Sequence, residues 1–116
     1  MIVQKGETIK KSRVELEGVE GVWIRWLIGE DSGAPNFYLR LFEVEPGGHT
    51  PYHTHPFEHE VYVLSGEGRI NAKGSAFPIG KDTFAYVPAG EEHQFENTGV
   101  SSLKFLCIIP RKQKCL

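Results

Sequence analysis

With 116 residues and 13.0 kDa, the chain suits one compact domain and leaves no room for a second core. Hydrophobic residues make up 40% and charged residues 24%, too apolar a balance for a disordered chain, and no apolar run is long enough to cross a membrane. The 13 basic and 15 acidic side chains leave a formal charge of -2, with basic residues grouped only at Lys10, Lys11 and Arg13 and at Arg111, Lys112 and Lys114, so neither nucleic acid nor a membrane is an expected partner.

The N-terminal stretch Met1 to Glu7 carries a charge at Lys5 and has no apolar core of signal-peptide length, so a cytoplasmic location is expected. Short apolar segments rich in Val, Ile, Phe and Tyr follow, bounded by Gly, Pro or Asn, the pattern of strands joined by tight connections. They predict strands at 8–14, 22–28, 36–45, 52–55, 59–64, 67–72, 76–78, 84–87, 92–97 and 101–109. Turns are predicted at 46–48, 65–68, 73–75, 88–90 and 97–99. No stretch of roughly ten or more residues keeps a 3.6-residue period, so helix should be nearly absent. Many short antiparallel strands at this spacing define an all-β sandwich or closed barrel. Neither the run from Gly74 to Asp82 nor Gly66-Glu67-Gly68 keeps the spacing that phosphate or dinucleotide binding needs. Cys107 and Cys115 are expected as free thiols, because a bridge from a buried strand to the tail would add little loop-closure stabilisation.

Five histidines carry the unusual information: His49, His53, His55, His59 and His93. On a strand, alternate side chains share a face, which puts the Cα atoms of His53 and His55 about 6–7 Å apart and lets two imidazoles converge on one ion. Pro56-Phe57 breaks that strand, His59 opens the next, and His93 starts another after the turn at Pro88-Ala89-Gly90. Any one of them alone reads first as a surface or core histidine with its own hydrogen bonds. Packed together without an ion, however, imidazoles would repel when protonated or leave ring nitrogens unpaired, and a metal removes both costs.

Gly47, His53, His55, His59 and Gly66, separated by five, one, three and six residues, resemble the first cupin motif. Asp82, Pro88, Gly90, His93 and Asn97, separated by five, one, two and three residues, resemble the second. The motifs occupy 47–66 and 82–97 of an expected single cupin domain over 1–116. Pro35-Asn36-Phe37, the run from His55 to Glu60 and Phe105-Leu106-Cys107 are similar to segments of the small, single-domain manganese-binding cupins. The resemblance implies a double-stranded β-helix, or jelly-roll barrel, with one divalent transition metal per chain at its centre. His53, His55, His59 and His93 are the implied ligands. Manganese is the ion implied first, and an all-nitrogen donor set leaves Fe, Ni, Cu and Zn open.

Two positions depart from the family pattern. Asp82 stands at a turn where glycine is usual, and His59 stands where most cupins have glutamate. Spacing after His55 admits either His59 or Glu60, but the gap of six residues to Gly66 favours His59, and so does the strand phase that turns Val61 and Val63 inward. Four neutral imidazoles keep the full charge of a divalent ion, so anionic ligands should bind more tightly and the oxidised metal should be harder to reach. On a six-coordinate ion, two positions stay open for water or a bidentate substrate.

If Lys104 is exposed, Phe105 and Cys107 face inward, as pocket wall or as core filler. Arg40, set among apolar neighbours, is either paired with a carboxylate or aimed at an anionic ligand. Phe57 resembles an aromatic residue near the mouth of related barrels, and His49 reads as a rim residue. Glu60, Tyr62 and Leu64 share the outward phase, and with Trp23, Trp26, Tyr38 and Phe42 they predict a homodimer through the first strands. The expected function is a metal-dependent oxidoreductase of dioxygenase type, acting on a small anionic or enolisable chelating molecule whose charge Arg40 offsets. The alternatives are a non-catalytic metal or small-ligand binding module and a metal-assisted isomerase or decarboxylase.

Overall fold

Alternation of more and less buried side chains runs along most strands of the computed structural model, which describes residues 1–111. The strands are β1 (Ser12–Arg13), β2 (Glu20–Ile28), β3 (Phe37–His49), β4 (His59–Ser65), β5 (Glu67–Ala72), β6 (Ser75–Gly80), β7 (Phe84–Val87), β8 (Gln94–Asn97) and β9 (Leu103–Pro110). Only two short 3-10 turns, Gly6–Thr8 and Glu30–Ser32, interrupt the all-β pattern among the described residues. The strands form one sheet in the order β6-β5-β8-β3-β9-β4-β7, with β2 paired to β3 and β1 to β2. All these pairings are antiparallel, and the sheet curls into a nearly closed barrel of the jelly-roll type. No helix among the described residues is long and apolar enough to cross a membrane.

The central strand, β3, shapes the barrel. Its residues from Phe37 to Val44 pair with β9, whereas His49 pairs with Glu96 of β8, so one chain segment serves both halves of the barrel. The sequence predicted a turn at 46–48, but the segment remains within β3, where Gly47 adopts φ +79° and the pairing with β2 slips between Glu20 and Val22. A bulge bends the strand there instead of ending it. Tyr38, Arg40, Phe42 and Val44 point inward from β3 and meet Leu103, Phe105, Cys107 and Ile109 of β9.

Two further predictions need correcting. Residues 52–55 form no strand. They keep a single bridge, with paired backbone hydrogen bonds of 3.1 and 2.9 Å between His53 and His93, because Pro51 and Pro56 on either side lack donors to extend it. The segment 8–14 contributes only Ser12–Arg13. The other strands appear where expected, with shifted ends. Phe105 and Cys107 face inward, and Cys107 is a buried free thiol; Cys115 lies outside the described residues.

Motif glycines and their one replacement have local causes. Gly66 sits at φ +89°, and a Cβ there would be driven into the Ser102 carbonyl, so the bend between β4 and β5 admits no side chain. Asp82 also lies in the left-handed region, at φ +64°, which explains why glycine suits the position and why aspartate is among the tolerated exceptions. Its carboxylate accepts a hydrogen bond of 3.1 Å from the Tyr62 hydroxyl.

Of the aromatic residues expected at a dimer interface, Tyr38 and Phe42 lie inside the barrel. Trp23 donates to Glu45 at 2.9 Å and is overlaid by Lys11 and Arg13. The outward apolar face lies elsewhere, across β3, β9 and β4, where Phe37, Tyr62, Leu64 and Ile108 are exposed.

Candidate metal centre

The bridge between His53 and His93 ties the segment after β3 to the approach to β8, and four imidazoles gather beside it. Ring centroids lie 4.2 Å apart for His53 and His55, 5.2 Å for His53 and His93, 4.9 Å for His55 and His59, and 5.3 Å for His59 and His93. In the tightest group, His53, His55 and His93, one ligand nitrogen from each lies within 4.8 Å of the others. His59 stands next to this trio on the inward phase of β4 and is 1% exposed, whereas Glu60 beside it points outward and is exposed.

The tautomers are partly fixed. Nδ1 of His93 lies 2.9 Å from the Glu91 carbonyl oxygen, an acceptor only, so Nδ1 carries the proton and Nε2 keeps its lone pair. A backbone carbonyl in this position is the usual outer partner of a metal-bound imidazole. Nδ1 of His55 is buried with no hydrogen-bond partner among the described residues, a cost that a cation removes. Three convergent neutral imidazoles with an orphaned ring nitrogen fit a divalent transition metal.

Electrostatics favour the neutral, ligand-ready form. Burial, and then the neighbouring imidazoles, push His53 down from 6.5 to about 4; burial, His93 and the Arg40 charge do the same to His55. Above pH 6.5 both rings are neutral in folded and unfolded chains alike. Between 6.5 and about 4 the unfolded chain takes up protons that the fold refuses, so stability drops as pH falls through that window. The metal-free protein is therefore expected to lose melting temperature steadily across this interval in calorimetry, and a flat profile would contradict the buried neutral cluster.

Around the imidazoles the barrel is tightly filled. A cavity of about 10 Å³, room for about one water, is lined by His53, His59 and His93 together with Arg40, Thr50, Phe105 and Cys107. Its floor is a stack of Phe42, Phe105 and Phe95, with centroids 5.3 and 4.7 Å apart. Arg40 is wholly buried. Its Nη2 donates to the Cys107 sulfur at 3.1 Å, and its guanidinium lies over Phe42 and Trp26 at 4.9 and 5.6 Å. Burial raises the Cys107 thiol above its ordinary range against the pull of Arg40, so the sulfur accepts that bond as a neutral thiol. Phe57 is buried against His55 and His59, with centroid distances of 4.8 and 5.2 Å.

His49 stands apart from the trio, half-buried, with Nδ1 3.2 Å from the Thr50 carbonyl. Thr50 and Phe95 are cavity residues that sequence reasoning missed. The Thr50 hydroxyl accepts from the Phe95 amide at 2.8 Å and joins the end of β3 to β8. Proximity of His49 to a metal motif was the available signal, but a threonine beside a glycine turn has many ordinary uses.

A barrel with inward histidines from its two halves defines a β-barrel protein with a possible metal site. Residues 40–109 match the Cupin domain family, and the chain belongs to it. The oxalate-binding protein of Thermotoga maritima is 32% identical over 114 residues, covering 94% of this chain and 93% of that protein. The polyketide cyclase RemF from Streptomyces resistomycificus superposes with a TM-score of 0.92 at 32% identity, covering 99% of this chain and 82% of that one. A Thermotoga maritima structure described as a predicted oxalate decarboxylase gives a TM-score of 0.83 at 29% identity, covering 95% of this chain and 99% of that one.

Proposed function

We propose that residues 1–116 act as one cupin domain that holds a divalent metal, manganese first, on His53, His55, His59 and His93. The metal presents open positions to a small anionic or enolisable molecule, on which the protein performs redox-neutral chemistry. The carrying observation is the convergence of His53, His55 and His93 within 4.8 Å. A divalent ion there supplies Lewis-acid polarisation of a bound carbonyl or carboxylate. The Glu91 carbonyl orients His93, and Phe57 packs on His55 and His59 and keeps water from their faces. Arg40 places a fixed positive charge beside the cluster and assists an anionic ligand, with Phe105 and Cys107 as the wall behind it.

Neutral donors disfavour the oxidised metal, which supports polarisation over redox cycling. The names of the similar proteins support the ligand class: oxalate is a chelating dianion, and polyketides are enolisable polycarbonyls. The dioxygenase reading uses the same open positions. Metal-loaded protein incubated with β-diketones, catechols, flavonols and keto acids in an oxygen electrode separates the two. Conversion without oxygen uptake is expected; stoichiometric uptake would assign a dioxygenase, and binding without conversion would leave a ligand-binding module.

We propose further that the chain forms a homodimer through the outward face of β3, β9 and β4. Phe37, Tyr62, Leu64 and Ile108 are exposed there, beside half-buried Leu39, Leu41 and Leu106, a continuous apolar surface that water does not favour. Light scattering should return twice 13.0 kDa, and the double substitution Tyr62→Lys with Ile108→Lys should return the single value. A wild-type monomer at micromolar concentration would refute the interface.

A further inference from the structure

The strands at the two ends of the sheet order, β6 and β7, are paired on one side only and flank a gap in the barrel wall. A groove of about 310 Å³ occupies that gap, with Ile79 of β6 and Ala85 of β7 in its walls and His93 among its lining. Three aromatic side chains at its opening, Phe77, Phe84 and Tyr86, are 53, 79 and 58% exposed. The groove thus borders the candidate metal cluster at His93, which it shares with the filled cavity, where only about 10 Å³ is free.

We propose that this seam is the subsite for the organic body of the ligand, and that the ligand is a planar aromatic molecule carrying two adjacent oxygen donors. The proposal rests on the metal centre proposed above and adds where the rest of the ligand lies and what it is made of. A groove of this volume suits a body of about two fused rings, whereas the inner cavity excludes even one. Its walls offer apolar and aromatic surface, which rewards a flat hydrophobic body. A body resting there sets its polar end beside His93, whose ring the Glu91 carbonyl holds in place. A peptide strand is the occupant an open sheet edge would otherwise invite. Pro78 stands in the middle of β6 and removes a backbone donor from that edge, which blunts it against strand addition.

The test compares catechol with a naphthalene diol bearing adjacent hydroxyls, titrated calorimetrically into the full chain loaded with manganese. The wild-type protein should bind the naphthalene diol about tenfold or more tightly than catechol. Ala85→Trp, which fills the groove, should abolish that preference and weaken catechol as well, while leaving manganese content unchanged. Phe77→Ser with Phe84→Ser, both at exposed positions, should cut the preference about threefold or more and decides the matter should the tryptophan variant fail to fold. Equal affinity for the two diols, or a preference that survives in the folded variants, overturns the seam subsite while the metal centre stands. Failure of the wild-type protein to retain manganese overturns the metal centre, and the seam proposal with it.

Discussion

His59→Ala is expected to weaken metal binding by at least tenfold to a hundredfold, roughly, while Glu60→Ala leaves it within about twofold. The two residues are adjacent on β4, but strand phase gives them opposite surroundings. His59 is 1% exposed, with its ring centroid 4.9 Å from that of His55 and 5.3 Å from that of His93. Glu60 points away from the barrel, paired across the sheet with Tyr86 and Ile108. Burial and the Glu58 carboxyl beside it raise its pKa. Loss of an outer hydrogen bond to a ligand commonly costs about tenfold to a hundredfold in affinity, and loss of the ligand itself should cost no less. Metal analysis after dialysis reads the result, with melting temperatures of the metal-free variants as the control for folding. Should Glu60→Ala lose the metal and His59→Ala keep it, the four-histidine site and the charge argument built on it would both fail.

Much of this geometry was legible because side-chain direction on a strand follows from parity alone. Val61 and Val63 inward, Tyr62 and Leu64 outward, and Phe105 and Cys107 inward all follow from counting by two along β4 and β9. The count succeeded for His53 and His55 for a different reason from the one supposed. No regular strand carries them; the bridge to His93 between two prolines holds the segment extended, and their rings still meet at 4.2 Å. Parity could not show which half of the barrel a segment belongs to. The bulge at Gly47 carries β3 from β9 across to β8, and its glycines read locally as a turn because a positive φ has the same signature in both settings. The tautomer of His93 was illegible in principle, since any residue at position 91 supplies a carbonyl. The seam between β6 and β7 was equally hidden, because its opening depends on how completely the sheet closes and no local pattern records that.

Arg40→Met is expected to lower affinity for oxalate about tenfold to a hundredfold in the metal-loaded protein. The expectation comes from the cost of keeping a charge where Arg40 lies. Its side chain is fully buried against Phe42, Trp26 and the Cys107 sulfur, and a guanidinium in such surroundings gives up hydration worth several kcal/mol, roughly, that a methionine of similar length never had. A charge held at that desolvation cost suits a site that receives an anion. We infer that its position serves such an anion: Arg40 lines the same small cavity as His53, His59 and His93, and its charge already helps to depress the pKa of His55. A hydrogen bond to a charged partner contributes about 1.5–3 kcal/mol, which sets the expected loss on removing the guanidinium from an anionic ligand. Arg40→Lys should recover only part of the affinity, because an ammonium keeps the charge without the planar fork. Thermal melts and oxalate titrations of both variants give the reading together. A methionine variant that binds oxalate like the wild type but melts far earlier would assign Arg40 to the core, with its charge serving the fold and not the ligand.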